Sequence, residues 1–239
     1  MLDSVYVGTS GQVALENRLT TIAGNVANAG TVGFRATVVT FEELLNNKIE
    51  EGVSTVTPGD ETISMRPGAI EETGNVLDFA INGDAWFGIE VDGQTLLTKD
   101  GRFTLNANAE LVTIHGDTVL DPGGAPVLLP GNLSELSVSG NGVISRNGEP
   151  VSGIGLFRVD APEMMQRAGP TAFRPDGAVT PIVDGDGATV LQGMVEKSNV
   201  DPIREIVQLI TVQRAFEQNG AMMRESSDTL DRLIQNLSP

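Results

Sequence analysis

The apolar positions of this chain follow two different periods, and the changes from one to the other divide it. Near the start, Leu15, Leu19, Ile22 and Val26 recur at 4-3-4 spacing, which draws one apolar stripe along a helix. Val5 extends the stripe upstream by whole heptads from Leu19, diluted by Gly8 and Gln12. The helix is expected to stop at Asn28-Ala29-Gly30, because Asn and Gly accept the left-handed conformation that closes a helix. Gly8, Gly11 and Gly24 weaken it, each by about 1 kcal/mol relative to Ala in a helix interior.

The other end carries the clearest helical pattern. Leu209, Phe216, Met223, Leu230 and Leu237 are spaced by seven throughout. Val212 and Leu233 lie on the adjoining offset, interrupted by Asn219 and Ser226. Ile203, Ile206, Val207 and Ile210 widen the apolar arc of the first turns. Ser198 or Asn199 is the expected cap, with Asp201 and Pro202 in the first turn. From Pro202 to Leu237 a continuous helix would run ~54 Å. A seam of that length left wet is an aggregation hazard, since each buried Leu, Ile, Phe or Met contributes roughly 1.5–3 kcal/mol. The two terminal helices are therefore expected to pair, each keeping a second apolar arc for other chains. Docking of both helices on their own β-domain is the alternative that periodicity leaves open.

Between them the period shortens to two. Asn82-Gly83, Asp92-Gly93, Asp100-Gly101, Asn141-Gly142, Asn147-Gly148, Asp176-Gly177 and Asp184-Gly185 punctuate short apolar or alternating runs. Those runs are 85–91, 94–98, 102–105, 111–114, 136–138, 143–145 and 154–159. Asn-Gly and Asp-Gly between such runs are the strongest short-range hairpin signal. An antiparallel, sandwich-like or barrel-like domain follows. Residues 41–72 hold eight acids and two basic residues with no sustained period, and are expected as an extended acidic connector with one helical turn at Phe41–Leu45.

Composition sharpens this division. Of 28 glycines, 22 fall between residues 41 and 198, as do 10 of 12 prolines. Residues 1–40 are net neutral and 199–239 carry −2, so the middle holds −15 of the −17 total. Charge is kept away from surfaces that must pack, which favours assembly through the ends. The overall negative charge disfavours nucleic acid and anionic membranes as partners. No stretch approaches the ~20 apolar residues of a membrane span, so membrane insertion is not expected. The absence of cysteine excludes disulfides, thiolate metal sites and cysteine nucleophiles. The N-terminus has an acidic residue where a basic region would stand and no apolar run after it, so no cleavable signal peptide is expected.

Candidate chemistry is sparse. Asp184-Gly185-Asp186-Gly187 hints at a calcium loop, but Ala188-Thr189-Val190-Leu191 lacks the remaining ligands, and a tight turn is the better reading. Asp84, Asp92, Asp100 and Glu110 could in principle form an acid–base pair, yet each sits in or beside a turn, where acids belong anyway. His115 is the single histidine, which excludes a multi-histidine metal site. Gly153-Ile154-Gly155 lacks the third glycine of a dinucleotide fingerprint, and no phosphate loop is complete. No cofactor, metal or catalytic residue is expected. Trp86 and Phe87 read as core aromatics of a strand, with a sugar-stacking platform as the alternative.

Three stretches resemble the flagellar rod and hook axial proteins. "RLTTIAGNVANAGTVGFRA", from Arg18 to Ala36, is similar to their N-terminal signature, a helix running into an Asn-rich segment that ends in Thr-Gly-Phe-Lys. Asn25, Asn28, Gly33 and Phe34 match, while Gly30, Val32 and Arg35 replace the usual Asn, Thr and Lys. The C-terminal stretch from Glu196 resembles the second signature through Ser198-Asn199-Val200, the run from Ile206 to Ile210, and Gln213-Arg214-Ala215-Phe216. "LDFAINGDAWFGIE" and "LLTKDGRFTLNANAELVTIHGDTVL" are similar to a shared strand–turn–strand block, with Leu97 at a frequent Tyr position. The resemblance implies a structural, non-enzymatic subunit of the basal-body rod, a torque-transmitting drive shaft that spans the periplasm. It implies export through the flagellar type III apparatus and helical assembly with other rod subunits and with copies of itself. Length and the single middle domain favour the proximal-rod branch, with the distal-rod branch as the alternative.

The expected fold is α+β: an antiparallel β-rich middle domain with a discontinuous helical layer formed by the two terminal amphipathic helices. The expected divisions are an assembly layer at 1–40, the connector at 41–72, the β-rich domain at 73–190, and a second assembly layer at 191–239 that pairs with the first. The assembly interface is expected at Leu15, Leu19, Ile22, Val26, Asn25, Asn28, Gly33 and Phe34, and at Asn199, Ile206, Leu209, Ile210, Phe216, Met223, Leu230 and Leu237. Readings of another class are a secreted β-rich carbohydrate-binding module with a coiled-coil tail, and a carboxylate hydrolase.

Overall fold

The computed structural model describes residues 2–45, 54–129, 135–182 and 187–237. Two long helices and many antiparallel strands make it an α+β protein. Helix α1 spans Leu2–Ala27 and helix α2 spans Pro202–Leu237. The chain divides into two compact units. One contains Met1–Ala27, Thr37–Thr62 and Asp201–Pro239; the other contains Asn28–Ala36 and Ile63–Val200.

Helix α1 stops one residue before Asn28, whose carbonyl and carboxamide oxygens accept from the Thr31 N–H at 3.0 Å and hydroxyl at 3.2 Å. Asp201 caps α2: its Oδ1 accepts from the N–H groups of Ile203 at 3.1 Å and Arg204 at 3.2 Å. Neither Ser198 nor Asn199 does so. The Ser198 hydroxyl accepts instead from the Val200 N–H, a local turn two residues upstream. Strands Thr37–Leu45 and Ser54–Ile63 pair with each other. The helical turn expected at Phe41–Leu45 is therefore strand. Val38, Val39, Thr40 and Phe41 are β-branched or aromatic, and pairing decides the outcome.

The β-rich unit is built around strand Trp86–Val91. Gln94–Thr98 pairs along one edge of it. The other edge is shared by Thr118–Val119, against Ile89 and Glu90, and by Leu156–Val159, against Trp86 and Phe87. Because neighbouring side chains point to opposite faces, Phe87 and Trp86 enter separate apolar clusters. Phe87 packs edge-on to Phe103 at 5.2 Å, with Phe79, Leu111, Val119 and Leu156 in the same cluster. Trp86 packs edge-on to Phe173 at 5.4 Å, with Ile63, Leu97, Phe157 and Met165.

Three of the turn dipeptides close hairpins among the described residues; Asn141-Gly142 does so between Leu136–Val138 and Val143–Arg146, with positive φ at Gly142. Asp92-Gly93 joins the two central strands, and Asn147-Gly148 joins Val143–Arg146 to Glu149–Gly153, all four residues having positive φ. Asn82-Gly83 behaves differently. It ends strand Phe79–Gly83, which pairs with Ala188–Gln192, far away in sequence. Asp176-Gly177 joins Ala172–Arg174 to Val179–Pro181, which pair with other strands. The dipeptide Asp184-Gly185 and the hinted calcium loop lie outside the described residues.

Candidate functional site

Helices α1 and α2 run antiparallel. Gly8 lies against Met223 and Gly11 against Asn219, while Gly220 is nearest Gln12, so partners descend along α2 as they ascend along α1. The Asn219 carboxamide donates to the Gly8 carbonyl at 3.2 Å. Met223 and Phe216, both expected in the seam, are half-buried, as are Leu15, Leu19, Val26 and Leu209, and Ile22 is buried. Val212 and Ala14 are buried as well. Ile206 and Ile210 are exposed, beside Ile203 at 75% and Val207 at 59% of their free surface. The side chains of Leu230 and Leu237 lie outside those described.

Asn25 is buried within α1 and pairs with Thr37 at both ends of its carboxamide. Oδ1 accepts from the Thr37 N–H and Nδ2 donates to the Thr37 carbonyl, each at 3.0 Å. A side chain here does what a neighbouring strand would do.

The remaining signature residues build a clasp inside the β-rich unit. Gly33, with φ of 72°, approaches the Lys99–Asp100 backbone so closely that a β-carbon would lie 2.2 Å from the Asp100 nitrogen. Its N–H donates to the Glu196 carbonyl at 2.7 Å. Phe34 is buried beneath the Arg167 guanidinium, 4.6 Å from the ring centre. Asn199 donates its N–H to the Phe34 carbonyl at 3.3 Å. Its Oδ1 accepts from the Ala36 N–H at 2.7 Å, and its Nδ2 donates to the carbonyls of Ser64 at 3.2 Å and Arg66 at 2.8 Å. Strand Met194–Glu196, paired with Ile70–Glu72, continues the same seam.

Behind the clasp sits a buried charge cluster that sequence reasoning missed. Arg35 Nη2 meets Glu196 Oε1 at 2.7 Å, with both side chains almost fully buried. Arg35 Nη1 also donates to the Arg66 carbonyl, and the Gly68 N–H donates to Glu196 Oε1 at 2.7 Å. Lys99 lies 4.0 Å from Glu196 Oε2 and 5.2 Å above the Trp86 ring, and donates to the Gly83 carbonyl at 3.2 Å. Two cations thus share one buried carboxylate. Burial pushes the Lys99 amine down to about 8, partly offset by Glu196; it lowers Arg35 as well. The only sequence signal was that Arg35 and Glu196 stand inside the two signature stretches.

A cleft of about 410 Å³ opens beside this cluster, between Met65, Pro67, Ile70, Trp86 and Pro162. Trp86 offers no stacking platform there, because it is buried and its ring carries Lys99 and Arg35. Of the candidate acids, Asp84 is exposed and lines the cleft, and the other three are turn or hydrogen-bonded residues. Asp100 chelates Arg102 through both oxygens at 2.9 and 2.7 Å, Glu110 accepts from Asn106, and Asp92 is a turn residue. Among the described residues, no three His, Cys, Asp or Glu side chains group as metal ligands.

The chain matches three family models, at its two ends and within the β-rich unit. "Flagella basal body rod protein" matches residues 5–35, "Flagellar hook protein FlgE/F/G D1 domain" 80–146, and "Flagellar basal body rod FlgEFG protein C-terminal" 191–236. The chain belongs to the flagellar basal-body rod protein family and is a structural rod subunit of the flagellar basal body. Within the family it is most like FlgF. It is 45% identical to the flagellar basal-body rod protein FlgF of Rhizobium meliloti (strain 1021) and 44% to that of Mesorhizobium japonicum, over 99% of this chain and 98% of each relative. Flagellar basal-body rod protein FlgG of Bacillus subtilis (strain 168) is 28% identical over 98% of both chains.

Proposed function

We propose that this chain polymerises through its terminal helices into the proximal part of the rod, where it transmits torque and performs no catalysis. One observation carries the reading. The first turns of α2 expose Ile203, Ile206, Val207 and Ile210 at the i, i+3, i+4, i+7 spacing of a single stripe, while Val212 is buried and Met223 faces α1. An apolar stripe left wet after intrachain pairing is a surface for another chain. Copies of this chain and other rod subunits are its partners, in a layer formed by residues 1–40 and 191–239. The flagellar type III apparatus exports it.

The buried charges of Arg35 and Glu196 are engaged with each other and with neighbouring backbone, which supports a mechanical role over a chemical one. Disrupting the gene is expected to abolish swimming with growth unchanged, and the chain is expected in purified basal bodies. Normal swimming without it, or its absence from basal bodies, would contradict the reading.

A further inference from the structure

The chain passes between the two units after residues 27, 36, 62 and 200. On the β-rich side, three of these passages are tied to one another at once. Asn199, next to the last passage, bonds to Phe34 and Ala36 beside the second and to Ser64 and Arg66 beside the third. The Ser64 N–H donates to the Ala36 carbonyl at 2.8 Å and closes the remaining side.

We infer that Asn199 is a positioning residue that joins the three passages into one connector, so that load arriving along any of them is shared by all. The inference rests on the load-bearing reading above, since sharing matters only under load. The chemistry requires a carboxamide. One oxygen accepts from Ala36 while one nitrogen donates to two carbonyls; a carboxylate supplies only the first function and an alkyl group neither. A second layer spans the same stretches, because Arg35 reaches Met65, Arg66 and Glu196. Without the ties, tension on residue 200 would peel strand Met194–Glu196 from Ile70–Glu72 one bond at a time. With them, the passages must yield together, as one cooperative unit.

Hydrogen exchange on the full chain tests the tie. In Asn199→Leu, the Ala36 and Ser64 amides are expected to exchange at least about tenfold faster, with Ile89 and Leu97 unchanged. Asn199→Asp keeps the acceptor, so Ala36 stays slow, while Ser64, whose carbonyl loses its donor and faces a carboxylate, is pushed from its N–H bond to Ala36 and accelerates, a split that general destabilisation would not produce. The load claim is tested by pulling the full chain through handles at Asn108→Cys and Arg204→Cys, which are unambiguous because the protein has no other cysteine. The parent is expected to open in one step, and Asn199→Leu to show an additional earlier step at lower force. Unchanged Ala36 and Ser64 exchange, or identical force traces, would overturn the inference. Loss of the ties as described, in a protein whose gene is dispensable for swimming, would leave the connector standing and sink the rod reading.

Discussion

Gly8 and Met223 lie so close that a β-carbon on Gly8 would stand 3.1 Å from Met223 Cγ. A residue that weakens α1 in isolation is what lets α2 approach it. Gly8→Ala therefore sets a helix-propensity gain of about 1 kcal/mol against a small shift of a flexible side chain, and should be nearly neutral. Gly8→Ile has no such escape and should destabilise the helical pair by about 1–3 kcal/mol. Denaturant titration followed by circular dichroism separates the two.

Asn25 substitutes for a strand neighbour of Thr37, so its loss removes two part-buried hydrogen bonds from that backbone. Asn25→Leu, similar in volume, should cost about 1–3 kcal/mol and accelerate exchange of the Thr37 amide. An unaffected Thr37 amide would show that the pairing contributes nothing.

Lys99 makes stability depend on pH in an unusual direction. Its amine titrates at about 8 in the folded chain against an ordinary 10.5. Between those values the unfolded chain binds more protons, so stability should rise with pH, by at most about 1.4 kcal/mol per pH unit. Below about 8 the penalty for burying the charge is fully present; above 10.5 it is absent. Lys99→Met should flatten the slope in that window. Glu196→Gln should do the opposite of stabilise, leaving Arg35 and Lys99 buried without their carboxylate at a cost of about 3–5 kcal/mol. Chemical denaturation across the alkaline range measures both.

Much of the architecture was legible because it rests on local rules. Helix α2 has no proline or glycine from Ile203 to Asn219 and a heptad stripe throughout, and its expected span, Pro202 to Leu237, is the one observed. Asp92-Gly93 and Asn147-Gly148 demanded positive φ and obtained it. What escaped notice depends on distant partners. Phe79–Gly83 needs Ala188–Gln192 across nearly half the chain, and no local pattern announces the pairing. Gly8 and Gly11 read as flaws in a helix because the surface that uses them is another helix. Within the site, Asn25 and Asn28 read as helix-stopping residues. Asn28 does mark the end of α1, whereas the bonds of Asn25 to Thr37 appear only once the chain has turned back. Gly33, Phe34 and Asn199, expected at an interface between chains, are engaged within this one.

Gly33 and Gly30 form a control pair. Gly33 has φ of 72° and no room for a β-carbon, while Gly30 has nothing within 4 Å of the corresponding position. Gly33→Ala should loosen the clasp, seen as faster exchange at Ala36 and a lower melting temperature. Gly30→Ala should leave both unchanged.

The central claim, assembly through the stripe left exposed on α2, is tested most directly by Ile206→Asp combined with Ile210→Asp. Both side chains are exposed in the single chain, so its fold and thermal stability should be preserved. Produced in cells lacking the parental gene, the double variant should be absent from purified basal bodies and the cells should not swim. Incorporation at the parental level, with normal swimming, would contradict the account.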